Sequence, residues 1–182
     1  MVALVIRPAL DEDLPAFFTY LNDHLLDNGV GGTALFMPMP RGESRFPAER
    51  EGSFRTGIAT PLGKPGWRRL WLAFDPEGRI AGHIDLRARP EPAATHRALL
   101  GMGVHRDARK QGLGARLIAT AVDWAMNQGL AWIDLEVLSV NAAAQALYLG
   151  QQFSKTGELP DLFRIDGQSL AYTLMSRHIA RG

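Results

Sequence analysis

The sequence predicts an α/β protein built around a single mixed, mostly antiparallel β-sheet. Runs of β-forming residues alternate with helical patterns in the order strand, helix, loop, three strands, helix, strand, helix, two strands. Two pairs of strands are joined by hairpin turns, whereas a strand–helix–strand unit around residues 98–138 predicts two parallel neighbours. The chain has 182 residues, of which 46% are hydrophobic, and we expect residues 1–182 to form one domain.

The composition argues against several classes of protein. A net charge of +1 provides no excess of cations for a nucleic-acid-binding surface. The absence of cysteine excludes disulfides, thiolate metal sites and a cysteine nucleophile. The N-terminus "MVALVIRPALDEDL" has the reverse charge order of a secretory signal, and apolar runs such as Leu117–Val122 are too short to span a membrane. We therefore expect a cytoplasmic protein with no metal, nucleic-acid or membrane partner.

The first strand and the first helix are predicted near the N-terminus. Ala3–Ile6 is rich in β-forming residues, and Asp11 and Asp13 follow at positions that favour the start of a helix. The segment "LPAFFTYLNDHLL" then carries apolar residues at helical spacing, and Asn28–Gly32 ends this helix.

Residues 30–66 form an irregular segment in which we predict one short helix, around Glu49–Ile58. From Gly31 to Leu70 the chain carries seven Lys and Arg residues against three Glu, although its total net charge is +1. This excess has two interpretations. The segment is either a solvated surface loop or a flap on the substrate side that favours anionic groups.

The central part of the chain predicts a hairpin, a strand and a long helix. The runs "RRLWLAFD" and "RIAGHIDLRA" flank the turn Pro76-Glu77-Gly78 and form the hairpin. "HRALLGMGV" is the next strand and ends at Val104. From about Leu113 to Asn127 apolar residues recur on one stripe, which is typical of a helix that packs against a sheet.

The C-terminal part predicts a strand, a short helix and a second hairpin. "AWIDLEVL" places Ile133, Leu135 and Val137 on one face of the strand. Asn141 can cap a helix that runs to about Gly150. "LFRI-DG-QSLAYTLM" then forms a hairpin with an Asp-Gly turn, whose edge offers a surface for a homodimer.

The segment "RKQGLG", Arg109–Gly114, places two glycines at the start of the long helix. Free N–H groups and the positive end of the helix dipole lie there, and glycine lets a ligand approach them, so the segment favours a diphosphate. The segment is not a P-loop, because Gly112 and Gly114 are not followed by the required lysine and hydroxyl. The run from Gly101 to Arg106 is not a dinucleotide-binding loop, because arginine replaces its third glycine. On spacing alone, a tight turn without a ligand remains the alternative.

"VHRDARKQGLGARLIATAV" resembles the acetyl-CoA signature of the GNAT acyltransferases, Arg/Gln-x-x-Gly-x-Gly/Ala between a strand and a helix. Asn141 and the following "AQALY", which ends at Tyr148, resemble a second segment of that family. The resemblance covers most of residues 67–176, with Gln152-Phe153 in place of the usual Gly-Phe pair. It implies helices on both faces of the sheet, a βαβ core that binds acyl-CoA, and direct transfer of an acetyl group from acetyl-CoA to a primary amine of a small molecule or a protein.

The resemblance also assigns roles to residues. Acetyl-CoA would lie between the strands that end near Val104 and Val137, and main-chain groups of Met102, Gly103 and Val104 would hold its pantetheine arm. Gly101 and Gly103 in this strand suit a bulge or a close backbone approach. From a bulged strand the Met102 N–H would stabilise the oxyanion, and Tyr148 would protonate the leaving thiolate, with an ordinary core tyrosine as the alternative. The remaining cofactor-binding residues that the resemblance implies are Arg109, Lys110, Gln111, Gly112, Leu113, Gly114, Ala115 and Asn141.

The sequence does not single out the base that would deprotonate the amine. Asp85 shares a strand face with His83, and Glu136 shares one with Asp134. His83 and Asp85 do not predict a metal site, because no third ligand is in reach. We rank Glu136 and Asp85 first as catalytic bases, and a surface or ion-paired role is the alternative for each. A non-catalytic module that senses acyl-CoA is the alternative function, since a phosphate site alone supports both.

Overall fold

A computed structural model describes residues 4–180 and contains one seven-stranded sheet with four helices. In chain order the strands are β1 (Val5–Pro8), β2 (Arg68–Phe74), β3 (Ile80–Ala88), β4 (Arg97–Val104), β5 (Trp132–Leu138), β6 (Ser154–Ile165) and β7 (Gln168–His178). The helices are α1 (Leu14–Leu25), α2 (Glu51–Ala59), α3 (Leu113–Asn127) and α4 (Ala142–Gly150). The order across the sheet is β1-β2-β3-β4-β5-β7-β6, and neighbouring strands are antiparallel except for β4 and β5.

The predicted fold class and order of elements are confirmed. The first strand begins at Val5 rather than at Ala3, which lies outside the described residues. The last hairpin is longer than predicted, because β6 already begins at Ser154. Most of β6 is exposed on both faces, so its side chains show no alternation that would mark it as a strand in the sequence.

The two faces of the sheet are covered by different helices. On one face the apolar stripe of α3 packs so closely that a Cβ at Gly82 of β3 would lie 3.1 Å from Leu113 and 3.2 Å from Leu117. On the opposite face Phe17 of α1 packs with Leu72 of β2, and side chains of α2 join the same cluster. We call this second face the α1 face. Near β5 and β7, Leu35 from the segment between α1 and α2 packs with Leu138 and Leu170 in a separate buried cluster.

The segment between α1 and α2 is organised by one buried side chain. Asn28 is fully buried, and its Oδ1 accepts hydrogen bonds from the N–H groups of Phe36 (2.7 Å) and Met37 (2.9 Å). Further along, Arg41 forms an ion pair with Asp166 in the β6–β7 turn at 2.9 Å. Contacts of this kind follow no period, which explains why the sequence pattern indicates no regular structure here. The short helix predicted around Glu49–Ile58 is confirmed as α2 and the 3₁₀ turn before it.

None of the helices between residues 4 and 180 combines the length and the apolar character of a membrane-crossing segment. The longest of them, α3, is apolar along the stripe that faces the sheet and carries Arg116 and Thr120 on its exposed side.

Candidate functional site

The parallel strands β4 and β5 separate part-way along their length. Their pairing ends at Leu99 and Asp134, although β4 continues to Val104 and β5 to Leu138. Beyond Leu99 one edge of β4 therefore has no strand beside it, and a gap opens between the two strands.

The register with β3 decides which backbone groups of β4 face this gap. The N–H of His105 donates to the carbonyl of Ala81 at 2.9 Å. Because hydrogen bonding alternates along an antiparallel strand, His105, Gly103 and Gly101 bond to β3. The N–H and C=O groups of Met102 and Val104 consequently point into the gap. The Val104 carbonyl accepts a hydrogen bond from Arg109 Nε at 3.1 Å, whereas the Met102 N–H has no strand partner on that side.

Gly101 and Gly103 are required in β4 because other side chains lie directly against this strand. A Cβ at Gly101 would lie 2.7 Å from Asp85 Oδ1, and a Cβ at Gly103 would lie 2.7 Å from His24 Nε2. The pairs of β4 with β3 run without a register shift, so the predicted bulge is absent and the close approach explains the glycines. The Met102 N–H reaches the gap through regular strand alternation instead.

The tip of α3 presents free backbone amides at the open end of β4. Gly112 caps the helix with a left-handed φ of 78°, and Lys110 adopts a left-handed φ of 59°. Within residues 4–180, no backbone carbonyl accepts a hydrogen bond from the N–H of Lys110, Gln111 or Gly112. The N–H groups of Leu113–Ala115 belong to the first helical turn, where no intrahelical acceptor exists. Together with the helix dipole, these amides favour a phosphate group.

Two residues of the glycine-rich motif are engaged within the protein. A Cβ at Gly114 would lie 2.8 Å from Leu147 of α4, so this glycine lets α4 pack against α3. Arg109 donates from Nη2 to Asp27 at 2.8 Å while its Nε holds the Val104 carbonyl. Arg109 therefore ties the loop before α3 to β4 and to the segment after α1. A direct contact of its guanidinium with phosphate stays a prediction.

Asn141 and Tyr148 lie near the two ends of α4. Asn141 Oδ1 accepts a hydrogen bond from the N–H of Ala144 at 3.2 Å, which confirms the predicted cap. Tyr148 is buried and packs edge-on against Phe153. Burial, with a smaller contribution from Tyr172, raises the pKa of Tyr148, so its phenol stays protonated at neutral pH. Its hydroxyl forms no hydrogen bond with any residue from 4 to 180.

The two predicted bases have different surroundings on the α1 face. The buried Asp85 carboxylate bonds Arg68 Nη1 at 2.5 Å and also contacts Arg87 Nη1 at 3.4 Å. Glu136 of β5 is exposed and forms no ion pair within the described part of the chain. The exposed carboxylate of Glu136 is therefore open to an incoming molecule, whereas Oδ2 of Asp85 already faces two guanidinium groups.

A buried cluster of Tyr20, His24 and His83 lies on the same face against Gly103. The Tyr20 hydroxyl donates to the Gly103 carbonyl at 3.2 Å and lies 3.2 Å from His83 Nδ1. Burial lowers the pKa of both His24 and His83 to about 3, so both rings are neutral at pH 7. His24 Nδ1 is buried without a hydrogen-bond partner in residues 4–180. Sequence analysis placed His83 on this face, but no local signal pointed to Tyr20 or His24.

The comparison with protein families decides which kind of protein has this gap. A model of the Acetyltransferase (GNAT) family matches residues 35–152, which include the motif before α3 and the segment up to Tyr148. The chain belongs to this family. The predicted family and its fold, with helices on both faces of a mixed sheet, are thereby confirmed.

The chain is similar to several individual GNAT proteins. N-acetyltransferase family 8 member 3 of Mus musculus is 32% identical over 115 residues, which cover 59% of this chain and 50% of the mouse protein. The chain thus spans about half the length of this curated relative. A GNAT acetyltransferase from Streptococcus pneumoniae has a TM-score of 0.79 at 24% identity, over 98% of this chain and 100% of its own. A phosphinothricin acetyltransferase from Sinorhizobium meliloti, solved in complex with AcCoA, has a TM-score of 0.78 at 19% identity, over 98% and 90% of the two chains.

The departure from the usual GNAT sequence after Tyr148 has a local structural consequence. The helix ends at Gly150, as predicted, and Gln152 adopts a left-handed φ of 65°. Gln152 stands where the family usually has the glycine of its Gly-Phe pair. The backbone conformation that favours glycine is therefore present, although the residue is glutamine.

Two residues beside the gap were missed in the sequence. Arg87 follows His83 and Asp85 with the period of two that defines a strand face, so extending that face by one step would have found it. Tyr172 of β7 lies far from β3 and β5 in the sequence, and no pattern connects them. Burial and then the Glu136 carboxylate raise the pKa of Tyr172, while Arg87 lowers it, which indicates that the three side chains approach one another.

Proposed function

We propose that this GNAT protein transfers an acetyl group from acetyl-CoA directly to a primary amine. The observation that carries the proposal is the gap between β4 and β5, which leads from the free edge of β4 to the free amides at the tip of α3. The pantetheine arm of acetyl-CoA contains amide groups that can bond a strand edge as a neighbouring strand would. Its diphosphate suits the amides and the dipole of the helix tip.

The residues around the gap divide the binding task between main chain and side chain. Main-chain groups of Met102 and Val104 would hold the pantetheine arm, whereas those of Gly103, predicted for the same role, bond to β3 instead. The amides of residues 110–115 would hold the diphosphate. The exposed Lys110 side chain adds positive charge there. Arg109 and Gln111 would act mainly by fixing the loop, since Gln111 Nε2 donates to the Asp107 carbonyl at 2.8 Å. Asn141 would act through the start of α4, which it caps.

Acetyl-CoA supplies a thioester whose carbonyl carbon accepts the amine nitrogen. As the C–N bond forms and the C–S bond breaks, the products are an acetylated amine and the thiol of coenzyme A. The Met102 N–H, which faces the gap, would stabilise the oxyanion that develops on the carbonyl. Glu136, rather than the ion-paired Asp85, would take the proton that the amine loses.

Tyr148 would stabilise the leaving sulfur. A thiol has a pKa of about 8.5 in solution, and burial places the pKa of Tyr148 above its own ordinary value of about 10. Complete proton transfer from the phenol to the thiolate is therefore unfavourable. The hydroxyl would act as a hydrogen-bond donor while the C–S bond breaks, and the thiolate would take its final proton from water.

A sensor that binds acyl-CoA without transferring the acetyl group is the second candidate function, because the helix tip and the strand edge serve both. Incubating the protein with acetyl-CoA and a panel of primary amines, while measuring free thiol, distinguishes them. The proposal predicts thiol release that depends on the amine. Tight binding of acetyl-CoA without such release would contradict acetyl transfer and support the sensor.

A further inference from the structure

We infer that the amine acceptor is a small molecule with an anionic group, a carboxylate or a phosphonate, and that Arg87 binds this group. The inference rests on the proposed acetyl transfer and adds the chemical class of the substrate. It is carried by the position of Arg87 between a cationic cavity and the gap.

A cavity of about 560 Å³ lies on the α1 face, between α2 and the ends of β2 and β3. Arg68 and Arg87 line it, together with the hydroxyl-bearing Ser53, Thr56 and Thr60. None of the described residues that line the cavity is acidic. Guanidinium and hydroxyl groups are hydrogen-bond donors, so this lining favours an anion.

The two arginines differ in how far their donors are already used. Arg68 has an exposed side-chain fraction of 19%, bonds Asp85 and lies 3.8 Å from the ring centroid of Phe54. Arg87 is 36% exposed, and its polar contact among the described residues is the 3.4 Å approach to that same carboxylate. One carboxylate therefore faces two guanidinium groups, and most of the five N–H donors of Arg87 remain free.

Arg87 also lies where β4 and β5 begin to separate. It pairs across the sheet with Leu99, the last residue of β4 that still pairs with β5. Its Nη1 lies 3.1 Å from the position that a Cβ of Gly101 would occupy. The guanidinium of Arg87 is therefore next to the part of β4 that would flank the acetyl group.

Glu136 lies on the same face of the sheet, on β5, with β4 between it and Arg87. A second cavity, of about 330 Å³, is lined by Leu99 and Glu136. Where β4 and β5 still pair, at Leu99 and Asp134, two strand spacings of about 10 Å in total separate the backbones of β3 and β5. Glu136 lies two residues further along β5, and the long side chains of Arg87 and Glu136 extend toward each other's strand. A compact acceptor can thus direct its amine toward Glu136 and its anion toward Arg87.

The other arginines near the second cavity are already paired. Arg97 Nε and Arg89 Nη1 both donate to Asp134, at 2.8 and 3.0 Å, and Arg89 also bonds Glu91. Their charges are therefore compensated within the protein. Arg87 is left as the guanidinium best placed to bind the anion.

The test compares amines in pairs that differ in the anionic group: amino acids with their carboxamides, and aminoalkylphosphonates with alkylamines of the same length. We expect the wild-type protein to prefer the anionic member. Arg87→Met should lower kcat/KM for that member by about 10- to 100-fold, which is the usual effect of losing a charge-assisted hydrogen bond. The neutral member and the affinity for acetyl-CoA should not change. Whichever anionic series is preferred identifies the anion.

Two further variants keep the result interpretable. Arg79→Met removes the same charge from the β2–β3 turn, where the Arg79 side chain is 76% exposed, and should leave all rates unchanged. Arg87→Lys keeps the charge and should recover part of the preference for the anionic amine. If thermal unfolding shows that Arg87→Met does not fold, Arg87→Lys takes its place.

The possible failures are distinguishable. Equal rates for anionic and neutral amines, or equal effects of the variants at Arg87 and Arg79, would overturn the inference and leave acetyl transfer intact. No thiol release with any amine would overturn the proposed function and this inference with it.

Discussion

The two sides of the gap between β4 and β5 are built from different kinds of groups. On the side of α3, the proposed acetyl-CoA site consists mainly of backbone amides from residues 110–115, with Met102 in β4. On the α1 face, the proposed acceptor site consists of side chains from two separate strands, Arg87 of β3 and Glu136 of β5.

This difference has consequences for how each side responds to substitution. A site built from main-chain groups depends on backbone conformation, so it tolerates most side-chain changes but depends on glycine where φ is positive. A site built from side chains can change its substrate preference through a single substitution, without altering the binding of the cosubstrate. Four predictions, beginning with the largest expected effect, probe the two sides, and a fifth tests the central claim.

Glu136→Gln should affect the acceptor side alone. Removing the proposed base should lower kcat by about 100-fold or more, because general base catalysis typically contributes that much. It should also remove the pH-dependent limb that the base produces in the pH–rate profile. The affinity for acetyl-CoA, measured by calorimetry, should stay at the wild-type value. Glu158→Gln on the exposed β6 serves as the matched control and should leave kcat unchanged.

Asp85→Asn distinguishes the two predicted bases. We expect it to lower the free energy of unfolding by about 3 kcal/mol, because it leaves the largely buried guanidinium of Arg68 without its counter-ion. The pH–rate profile should keep its shape. If Asp85→Asn removed the pH-dependent limb and Glu136→Gln did not, Asp85 would be the base and the assignment made here would be wrong.

The free energy of unfolding should depend on pH because His24 and His83 are buried against Gly103, between the two sides of the gap. Burial lowers the pKa of His24 and His83 to about 3, below the value of about 6.5 in an unfolded chain. The unfolded state therefore binds more protons between these values. The stabilisation is complete above pH 6.5 and is lost as the pH falls toward 3, at up to about 1.4 kcal/mol per pH unit for each histidine.

His24→Phe should reduce this dependence by about half, which denaturation at a series of pH values measures. The phenyl ring can keep the stacking on Tyr20 and Phe36, and it removes the unpaired Nδ1. Phe36→Leu is the control, since it changes the packing around His24 without removing a titratable group. An unchanged pH dependence in His24→Phe would mean that the pKa of His24 is the same in the folded and the unfolded protein, which contradicts the lowered pKa.

Gln152→Gly should change the free energy of unfolding least, and it tests the backbone conformation just after α4. Because Gln152 has a φ of 65°, glycine should raise the free energy of unfolding by about 0.5–1 kcal/mol, the relief of left-handed strain less the added freedom of the unfolded chain. Gln151→Gly, at a φ of −102°, should instead lower it. Equal effects of the two glycines in urea denaturation would show that the strain at Gln152 is negligible.

The part of the molecule that the sequence predicted well is the part with local signals. The stripe from Leu113 to Ala125 and the alternation of Ile133, Leu135 and Val137 fixed α3 and β5, and the run from Arg109 to Gly114 located the tip of α3. The acceptor side was harder to predict, because Arg87 and Tyr172 come together through strand order rather than through spacing. The segment held by Asn28 was unpredictable for a related reason, since its order comes from side-chain-to-backbone hydrogen bonds.

The predicted bulge in β4 shows how one sequence signal can have two causes. Gly101 and Gly103 suggested either an irregular strand or the close approach of another group. The structure contains the close approach, of Asp85 and His24, and a regular register with β3. A single sequence does not distinguish these causes, because the residues that approach come from other elements.

The central claim is that backbone amides at the tip of α3 bind the diphosphate of acetyl-CoA, and a pair of glycines tests it most directly. Gly112 and Gly129 flank the two ends of α3, with φ of 78° and 77° and open space where a Cβ would lie. Substituting leucine at either should cost about 1–2 kcal/mol of stability through the same backbone strain. Gly114 is unsuitable for this purpose, because its Cβ would collide with Leu147.

Titration calorimetry with acetyl-CoA on Gly112→Leu and Gly129→Leu then gives the decisive comparison. We predict that Gly112→Leu weakens binding at least about tenfold, since one charge-assisted hydrogen bond to phosphate is worth that much, and that Gly129→Leu binds as the wild type does. Wild-type affinity in a folded Gly112→Leu variant would contradict the claim.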